Sequence, residues 1–255
     1  MTKISHIVSS DLLDLIDGRD FYMCLANIAS KDENYCNFYK KKVEDGAFVL
    51  LDNGAAEADQ MTLEVMWSVI EKINPSEVIL NDCLMDCEET VRRSIEAINF
   101  YKSRGYKGQY LFVPQGQNLR EWIMCYELMK DYCVERLMDS KCISTIGVSK
   151  FVTKGWKDSE ARYSCCSYLS YEKPQVHLLG CHENINEVAK ISKQFDFIRS
   201  NDTAISYIYA LSNKKITDGD RPSGEINFIK SDLDEQQIEI LKENMQTFDN
   251  LFKNE

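Results

Sequence analysis

The feature that most constrains the fold is an alternation of short apolar runs with amphipathic helical segments along the 255-residue chain. Apolar runs bounded by turn residues are typical of buried strands. Because a helical crossover returns the chain to the same edge of a sheet, the alternation predicts parallel strands. The predicted strands are residues 21–26, 48–51, 77–80, 109–113, 143–148, 176–180 and 195–200. So many units in one undivided chain favour an α/β fold, a (β/α)₈ TIM barrel, over an open doubly wound sheet.

Closing such a barrel requires an eighth strand, and residues 225–229 are the candidate. Residues 232–252 form a capped amphipathic segment, which we expect to be a helix that packs on the barrel. No stretch rich in proline, glycine and serine divides the chain, and its 4 prolines are scattered. We therefore predict a single barrel domain over residues 1–255.

The composition limits the location of the protein. Hydrophobic residues make up 44% of the chain and charged residues 28%, which is ordinary for a globular protein. No run approaches the roughly 18 apolar residues that a membrane span needs. The first residues lack the continuous apolar core of a signal peptide, and the 10 cysteines show no disulfide-like spacing. We expect a cytoplasmic protein without membrane association.

The net charge of −11 argues against binding nucleic acid through the overall field of the protein. A nucleic-acid partner would be held by local basic patches or by a second subunit. Candidate patches are residues 39–42, Arg92 with Arg93, and residues 101–108. For each patch, solvated side chains on a helix are the alternative. Lys150 and Arg221, in predicted loops, are further candidates for phosphate contacts.

Carboxylates follow the ends of three predicted strands, at Asp52, Asp82 and Asp202. In a (β/α)₈ barrel the carboxyl ends of the strands form one face, where the catalytic groups of such enzymes lie. Gln115 follows a fourth strand. The alternative is structural: Asp52 and Asp82 could cap the helices that follow, and Gln115 could bond only loop backbone. His177, inside a predicted strand, is of a kind more often found as a core histidine than as a base.

Six strand ends carry short motifs in a fixed order. They are DNGAAE (52–57), NDC (81–83), VPQG (113–116), IGVS (146–149), HLLG (177–180) and SNDTA (200–204). Together they resemble the motifs of the tRNA-guanine transglycosylase family, and the chain is most similar to its short phage-type members. The resemblance implies exchange of guanine in a polynucleotide for a 7-deazaguanine such as preQ0 or preQ1, through a covalent aspartate intermediate.

The resemblance also implies roles for individual residues. Asp202 takes the position of the nucleophile that attacks C1′, and Asp52 that of the carboxylate that moves protons on the leaving and incoming bases. The positions implied in holding the base are Asp82, Gln115, Gly116, Gly147, Val148, Leu179 and Gly180. Guanine N–H groups suit an aspartate acceptor, and its O6 and N7 suit an amide or a backbone N–H. Asp196 is a rival nucleophile, because it also follows a phenylalanine.

The chain departs from the family where the family has its zinc site. No cysteine or histidine follows residue 182, so we expect no metal, no zinc subdomain and no cofactor. Ala56 stands where the family has an aromatic residue, and Asn53 where it has serine. The missing zinc subdomain favours DNA over tRNA as the polymer. If the chain is phage-encoded, the expected location is the host cytoplasm.

Two other functions stay open at this point. The same carboxylates suit a hydrolase of nucleosides or glycosides that uses water as the acceptor. A barrel without activity would bind a base as a subunit of a transglycosylase complex. A homodimer and a partner subunit that delivers the nucleic acid both stay open, as does the identity of the base.

Overall fold

The computed structural model describes residues 2–54, 61–139, 141–181, 184–222 and 226–253, which form a parallel barrel surrounded by helices. The strands are β1 (Lys3–His6), β2 (Phe21–Leu25), β3 (Phe48–Asp52), β4 (Glu77–Ile79), β5 (Gln109–Phe112), β6 (Ile143–Ser149), β7 (Gln175–Leu179) and β8 (Ile198–Thr203). The helices are α1 (Ala26–Ala29), α2 (Glu33–Glu44), α3 (Leu63–Ile73), α4 (Cys87–Ser103), α5 (Leu119–Glu135), α6 (Phe151–Trp156), α7 (Ala161–Leu169), α8 (Ile185–Gln194), α9 (Ile205–Leu211) and α10 (Glu235–Asn250).

The strands run parallel in the order β1-β8-β7-β6-β5-β4-β3-β2, so the sheet curls into a nearly closed barrel. β1 and β2 meet at the seam, where the Met23 backbone N–H donates to the Ser5 hydroxyl at 2.7 Å. On its other side β1 pairs with β8, and Ser5 lies opposite Asp202 in that register. The predicted (β/α)₈ barrel of the α/β class is confirmed.

The apolar runs that predicted the strands form the core of the barrel. Leu51, Val78 and Leu111 lie in consecutive strands, and each is fully buried. The buried face of α3, which includes Met66 and Val69, belongs to the same apolar cluster. The barrel is therefore a packed core, and its polar chemistry is confined to a few inward positions.

The predicted eighth strand at residues 225–229 is wrong, because the eighth strand is β1, near the beginning of the chain. Residues 226–229 form a loop, and Ile226 and Phe228 line a cavity at one end of the barrel; residue 225 lies outside the described residues. β1 has no apolar run that would predict it, because only Ile4 of the four residues Lys3–His6 is apolar.

The strand predicted at residues 195–200 is displaced along the chain, since β8 begins at Ile198 and ends at Thr203. Phe195 is the C-terminal cap residue of α8, and its ring packs on Tyr163 at a centroid distance of 5.3 Å. The second half of β8 is polar, so the apolar pattern does not show where the strand ends. Asp202 therefore lies near the carboxyl end of the strand, whereas Asp196 precedes it.

Residues predicted as a carboxyl-terminal helix form α10, which a capping box at Asp234 and Gln237 begins. α10 packs on α9, and Phe248 contacts the ring of His6 of β1 at a centroid distance of 5.8 Å. The helix thus lies against the outside of the barrel near the seam. Within the described ranges, no helix combines the length and the apolar character needed to cross a membrane.

Candidate functional site

A cavity of about 250 Å³ opens at the carboxyl ends of the barrel strands. Asp52, Asp82 and Asp202 all line it, as the alignment of parallel strand ends predicted. Leu179 and Gly180, two of the residues predicted to hold a base, also line it. The rest of the wall is largely apolar and includes Met23, Leu25, Val113, Phe151 and Phe228. A mostly apolar cavity with a few convergent polar groups is typical of a small-molecule site.

Neither Asp52 nor Asp82 caps the next helix in the part of the chain that the structure describes. The side chain of Thr62 caps α3, and that of Asp86 caps α4. Asp52 instead accepts a hydrogen bond from the backbone N–H of Gly54 at 3.3 Å, in a turn where Gly54 has a φ of 71°. The two carboxylates therefore do not cap α3 and α4, and their place on the cavity wall needs another explanation.

Asp82 is buried between two side-chain amides. Asn53 Nδ2–H donates to its Oδ1 at 2.9 Å, and Gln115 Nε2–H donates to its Oδ2 at 2.6 Å. Burial raises the pKa of Asp82, and these two hydrogen bonds offset that rise only in part. Gln115 therefore does more than bond loop backbone. Asn53, which the sequence marked only as a departure from the family, proves to be one of the two groups that orient Asp82.

Asp202 is also buried, but its surroundings differ. Its Oδ1 accepts the Gly180 backbone N–H at 2.8 Å and lies 3.1 Å from His177 Nε2. Burial by itself raises the pKa of Asp202. The hydrogen bond and charge interaction with His177, the Gly180 N–H and the charge of Lys150 outweigh burial and hold that pKa below its ordinary value. Oδ2 accepts no hydrogen bond from the described residues. Asp202 thus presents an ionised carboxylate with one oxygen available to a ligand.

His177 donates to Asp202 in its neutral form. Burial lowers the pKa of His177 despite the opposing effect of Asp202, so the imidazole carries one hydrogen at neutral pH. An ionised Asp202 can only accept, which places that hydrogen on Nε2. Nδ1 lies 2.8 Å from the Ser200 hydroxyl and accepts from it. His177 is buried, as expected of a core histidine, yet it also holds the candidate nucleophile, a role that the sequence analysis missed.

Two cations, Lys150 and Arg221, lie on the cavity wall. Neither forms a salt bridge with a described residue. The Lys150 ammonium lies 5.5 Å from the centre of the Phe151 ring. Burial lowers the pKa of Lys150, and the nearby charge of Asp202 opposes this. Both side chains are in place to meet an anionic group of a ligand.

Three of the other predicted basic residues form salt bridges within the protein. Arg92 and Arg93 both pair with Glu89 on α4, at 2.7 Å and 2.6 Å. Lys42 is buried and pairs with Asp17. None of these three cations lines the cavity in the part of the chain that the structure describes.

Four residues predicted to hold a base are not on the cavity wall in the described structure. Gln115 instead donates to Asp82, and the other three are Gly116, Gly147 and Val148. A Cβ at Gly147 would lie 2.8 Å from a methyl group of Leu111, and one at Gly116 would lie 2.6 Å from the backbone nitrogen of Trp122. Val148 is fully buried. These positions serve the close packing of the barrel.

Some predicted positions lie outside the described residues, namely Ala56 with the rest of 55–60, His182 and residues 223–225. Among the described residues, no three Cys, His, Asp or Glu side chains are grouped so that they could hold a metal ion. The ten cysteines all fall in described ranges; they are free thiols, and only Cys83 is not buried. The nine buried thiols contribute to packing.

A scan against protein-family models and a search of curated proteins each found no match to the chain. The class of protein therefore follows from the fold and the site. This is a (β/α)₈ barrel with three carboxylates around one cavity at its carboxyl-terminal face, where barrel enzymes carry their chemistry. An ionised carboxylate beside a second, amide-bound carboxylate suits nucleophilic attack on a ligand that another group recognises.

Proposed function

We propose that this protein exchanges guanine in a polynucleotide for a 7-deazaguanine such as preQ0 or preQ1, through a covalent intermediate on Asp202. The observation that carries the proposal is the meeting of Asp52, Asp82 and Asp202 on one cavity, with the following helices capped by other residues. The ordered motifs at the strand ends, which resemble the tRNA-guanine transglycosylases, support the same three roles.

The exchange takes two displacements at one carbon. Oδ2 of Asp202 attacks C1′ of the target nucleotide, and the C1′–N9 bond breaks with its electron pair going to guanine. Asp52, as a carboxylic acid, gives its proton to the leaving base. The Asp52 carboxylate then takes the N9 proton of the incoming deazaguanine, whose N9 attacks C1′ and releases Asp202 as a carboxylate. The leaving guanine gains a proton from Asp52 and the incoming base returns one to it, so both carboxyl groups end as they began and the exchange consumes no other reactant.

Asp82 is the group that reads the base in this proposal. Guanine presents its N1–H and N2–H₂ donors on one edge, and a carboxylate accepts both. The amides of Asn53 and Gln115 fix the plane of Asp82 from behind. The apolar side chains of Leu179 and Phe151 offer surfaces to the faces of the ring. A base in a helix must leave its stack to enter such a cavity.

Lys150 and Arg221 are the residues that we propose to meet phosphates of the polymer, because both line the cavity and neither forms a salt bridge with a described residue. Arg92 and Arg93 contribute less, since each is already paired with Glu89. DNA remains the favoured polymer, because nothing after residue 182 offers the ligands of the family's zinc subdomain. The location proposed for this reaction is the cytoplasm.

The test is transfer of a labelled base. Labelled guanine or preQ1 is incubated with the protein and, separately, with duplex DNA, single-stranded DNA and tRNA. We expect label in DNA, and loss of transfer in Asp202→Asn but not in Asp196→Asn, a variant of the exposed aspartate that pairs with Lys173. Binding of the base without transfer to any polymer would contradict the proposed activity and favour a base-binding subunit. A Lys150→Gln variant should weaken polymer binding and reduce its salt dependence.

Hydrolysis of a small nucleoside or nucleotide is a second candidate, favoured by the charge of the protein. The net charge is −11, and Lys42, Arg92 and Arg93 are paired internally. A small substrate needs few phosphate contacts, and water would replace the incoming base. Release of free guanine together with the free sugar, without uptake of label, would identify this reaction.

A further inference from the structure

A chain of polar groups, all buried except the partly exposed Arg199, leads from Asp202 through the interior of the barrel. His177 links Asp202 to the Ser200 hydroxyl, with 2.8 Å between Nδ1 and Oγ. Arg199 Nε–H donates to the same hydroxyl at 3.2 Å, and Arg199 Nη2–H donates to Glu77 Oε2 at 2.6 Å. Because Glu77 lies on β4 and Arg199 on β8, the pair spans the inside of the barrel.

Irregularities in the sheet place Arg199, one member of this pair, and Ser144, a hydrogen-bond partner of the other. The pairing of β7 with β8 passes over Arg199, and the pairing of β5 with β6 passes over Ser144, so each is the extra residue of a bulge. A bulge redirects the side chain of its extra residue. Ser144 and Thr145 hydroxyls both donate to Glu77 Oε1 at 2.6 Å, beside Arg199. Glu77 is thus fully buried but fully engaged.

The donors in this chain determine where each proton lies. Arg199 can only donate, so the Ser200 oxygen accepts from it. The Ser200 hydroxyl hydrogen is then free to point at His177 Nδ1. With Nδ1 occupied as an acceptor, the imidazole hydrogen is fixed on Nε2, facing Asp202.

We propose that His177 is the positioning residue of Asp202, and that Ser200, Arg199 and Glu77 hold it as the Nε2–H tautomer. Oδ1 of Asp202 is then engaged by His177 and by the Gly180 N–H, which orients Oδ2 as the attacking atom. The inference rests on the proposed function for the role of Asp202 as nucleophile, whereas the hydrogen-bond chain exists without any substrate.

Besides His177, the charge of Lys150, which follows β6, lowers the pKa of Asp202. Asp52, Asp82 and Arg221 line the same cavity as Asp202. β1 places the uncharged Ser5 opposite Asp202. The His177 variants leave these groups unchanged, so a change in the ionisation of Asp202 in those variants is attributed to the lost donor.

The experiment compares His177→Leu, which removes the donor, with His177→Gln, which keeps an N–H donor. In His177→Leu we expect kcat for exchange to fall about 10- to 100-fold, the size of one hydrogen bond to a charged group, with KM unchanged. The acidic limb of the pH profile of kcat should move to higher pH, since Asp202 loses a donor to its ionised form. His177→Gln should keep more activity and the wild-type limb. Equal losses in both variants, with an unmoved limb, would overturn the inference.

A second measurement separates this inference from the proposed reaction. The titration of the Asp202 carboxyl is followed by ¹³C NMR without substrate, in the wild type, His177→Leu and Ser200→Ala. We expect Asp202 to titrate at higher pH in both variants, and Ser200→Thr to restore the wild-type value because it keeps the hydroxyl. An unchanged titration in both variants would refute the positioning role, even if exchange is observed. A shifted titration without exchange in the wild type would refute only the proposed reaction.

Discussion

Asp82 and Asp202 are buried at the same face of the barrel, yet their pKa values move in opposite directions. Burial acts in the same direction on both. Asp82 receives hydrogen bonds from two neutral amides, those of Asn53 and Gln115. Asp202 receives its hydrogen bonds from His177 and from the Gly180 backbone N–H, and the charge of Lys150 also acts on it. The difference shows that donors and cations, and not depth, decide which carboxylate keeps its charge at low pH.

When the pKa values of two carboxyl groups in one site are shifted in opposite directions, the two groups can take different roles in a reaction. An easily ionised Asp202 with one unengaged oxygen suits attack on an electrophilic carbon. Asp82, with both oxygens held by amides, suits recognition of donors on a base. The comparison therefore predicts that changes at the two residues have separable effects.

The largest expected effect is on chemistry at Asp202. Asp202→Asn keeps the size of the side chain and removes the attacking charge, so exchange should fall by several orders of magnitude while the fold is kept. Denaturing gels of the protein with polymer and competing base measure the covalent adduct. Asp196→Asn is the control and should form the adduct normally. An adduct that persists in Asp202→Asn and vanishes in Asp196→Asn would identify Asp196 as the nucleophile. The roles assigned to Asp82 and Asp202 in this comparison would then be wrong.

The next effect concerns recognition by Asp82. Asp82→Asn should weaken binding of free guanine about 10- to 100-fold, because a hydrogen bond to a charged group contributes roughly 1.5–3 kcal/mol. Asp202→Asn should leave that affinity nearly unchanged. Isothermal titration calorimetry measures both. Equal losses in the two variants would show that the carboxylates share one task.

The smallest effect is on stability, and its sign differs between the two residues. The pKa of Asp82 is raised, so the folded state holds its proton longer and stability falls as pH rises from about 3.9 through the raised value. The pKa of Asp202 is lowered, so its contribution to stability is present above about 3.9 and is lost as pH falls through the folded value.

Urea unfolding of wild type, Asp82→Asn and Asp202→Asn across these pH windows checks those signs. The stability of Asp82→Asn relative to wild type should rise with pH above about 3.9, by roughly 1.4 kcal/mol per unit of pKa difference. That of Asp202→Asn should fall with rising pH below about 3.9. Parallel curves for the two variants would contradict the opposite shifts of the two carboxylates.

The barrel could be predicted from the sequence because buried parallel strands need continuous apolar runs, and most strands of this chain have them. β1 lacks such a run, and the end of β8 is polar, so both were misplaced. The alignment of strand ends in a parallel barrel then sufficed to bring Asp52, Asp82 and Asp202 to one cavity. That inference needed the order of the strands but not their side-chain contacts.

The interior hydrogen-bond chain could not be predicted in the same way. Glu77 and Arg199 are far apart in the sequence, and the bulge that redirects Arg199 leaves no local pattern. One signal was available: a charged residue inside a predicted buried strand must have a partner, and both residues lie in predicted strands. Gly147 shows the converse, since a motif glycine proved to serve packing against Leu111.

The pairing of β1 with β8 has a consequence for biosynthesis. Lys3 lies opposite Ser200 and His6 opposite Thr203, so the barrel joins segments from distant parts of the chain. On the ribosome, β1 emerges long before its partner, and it has no ladder to join until β8 has been translated. Closing so large a loop is a slow, entropically costly event. Asp202 sits on the strand that completes this closure, so the nascent chain acquires its candidate nucleophile in the last step of barrel assembly.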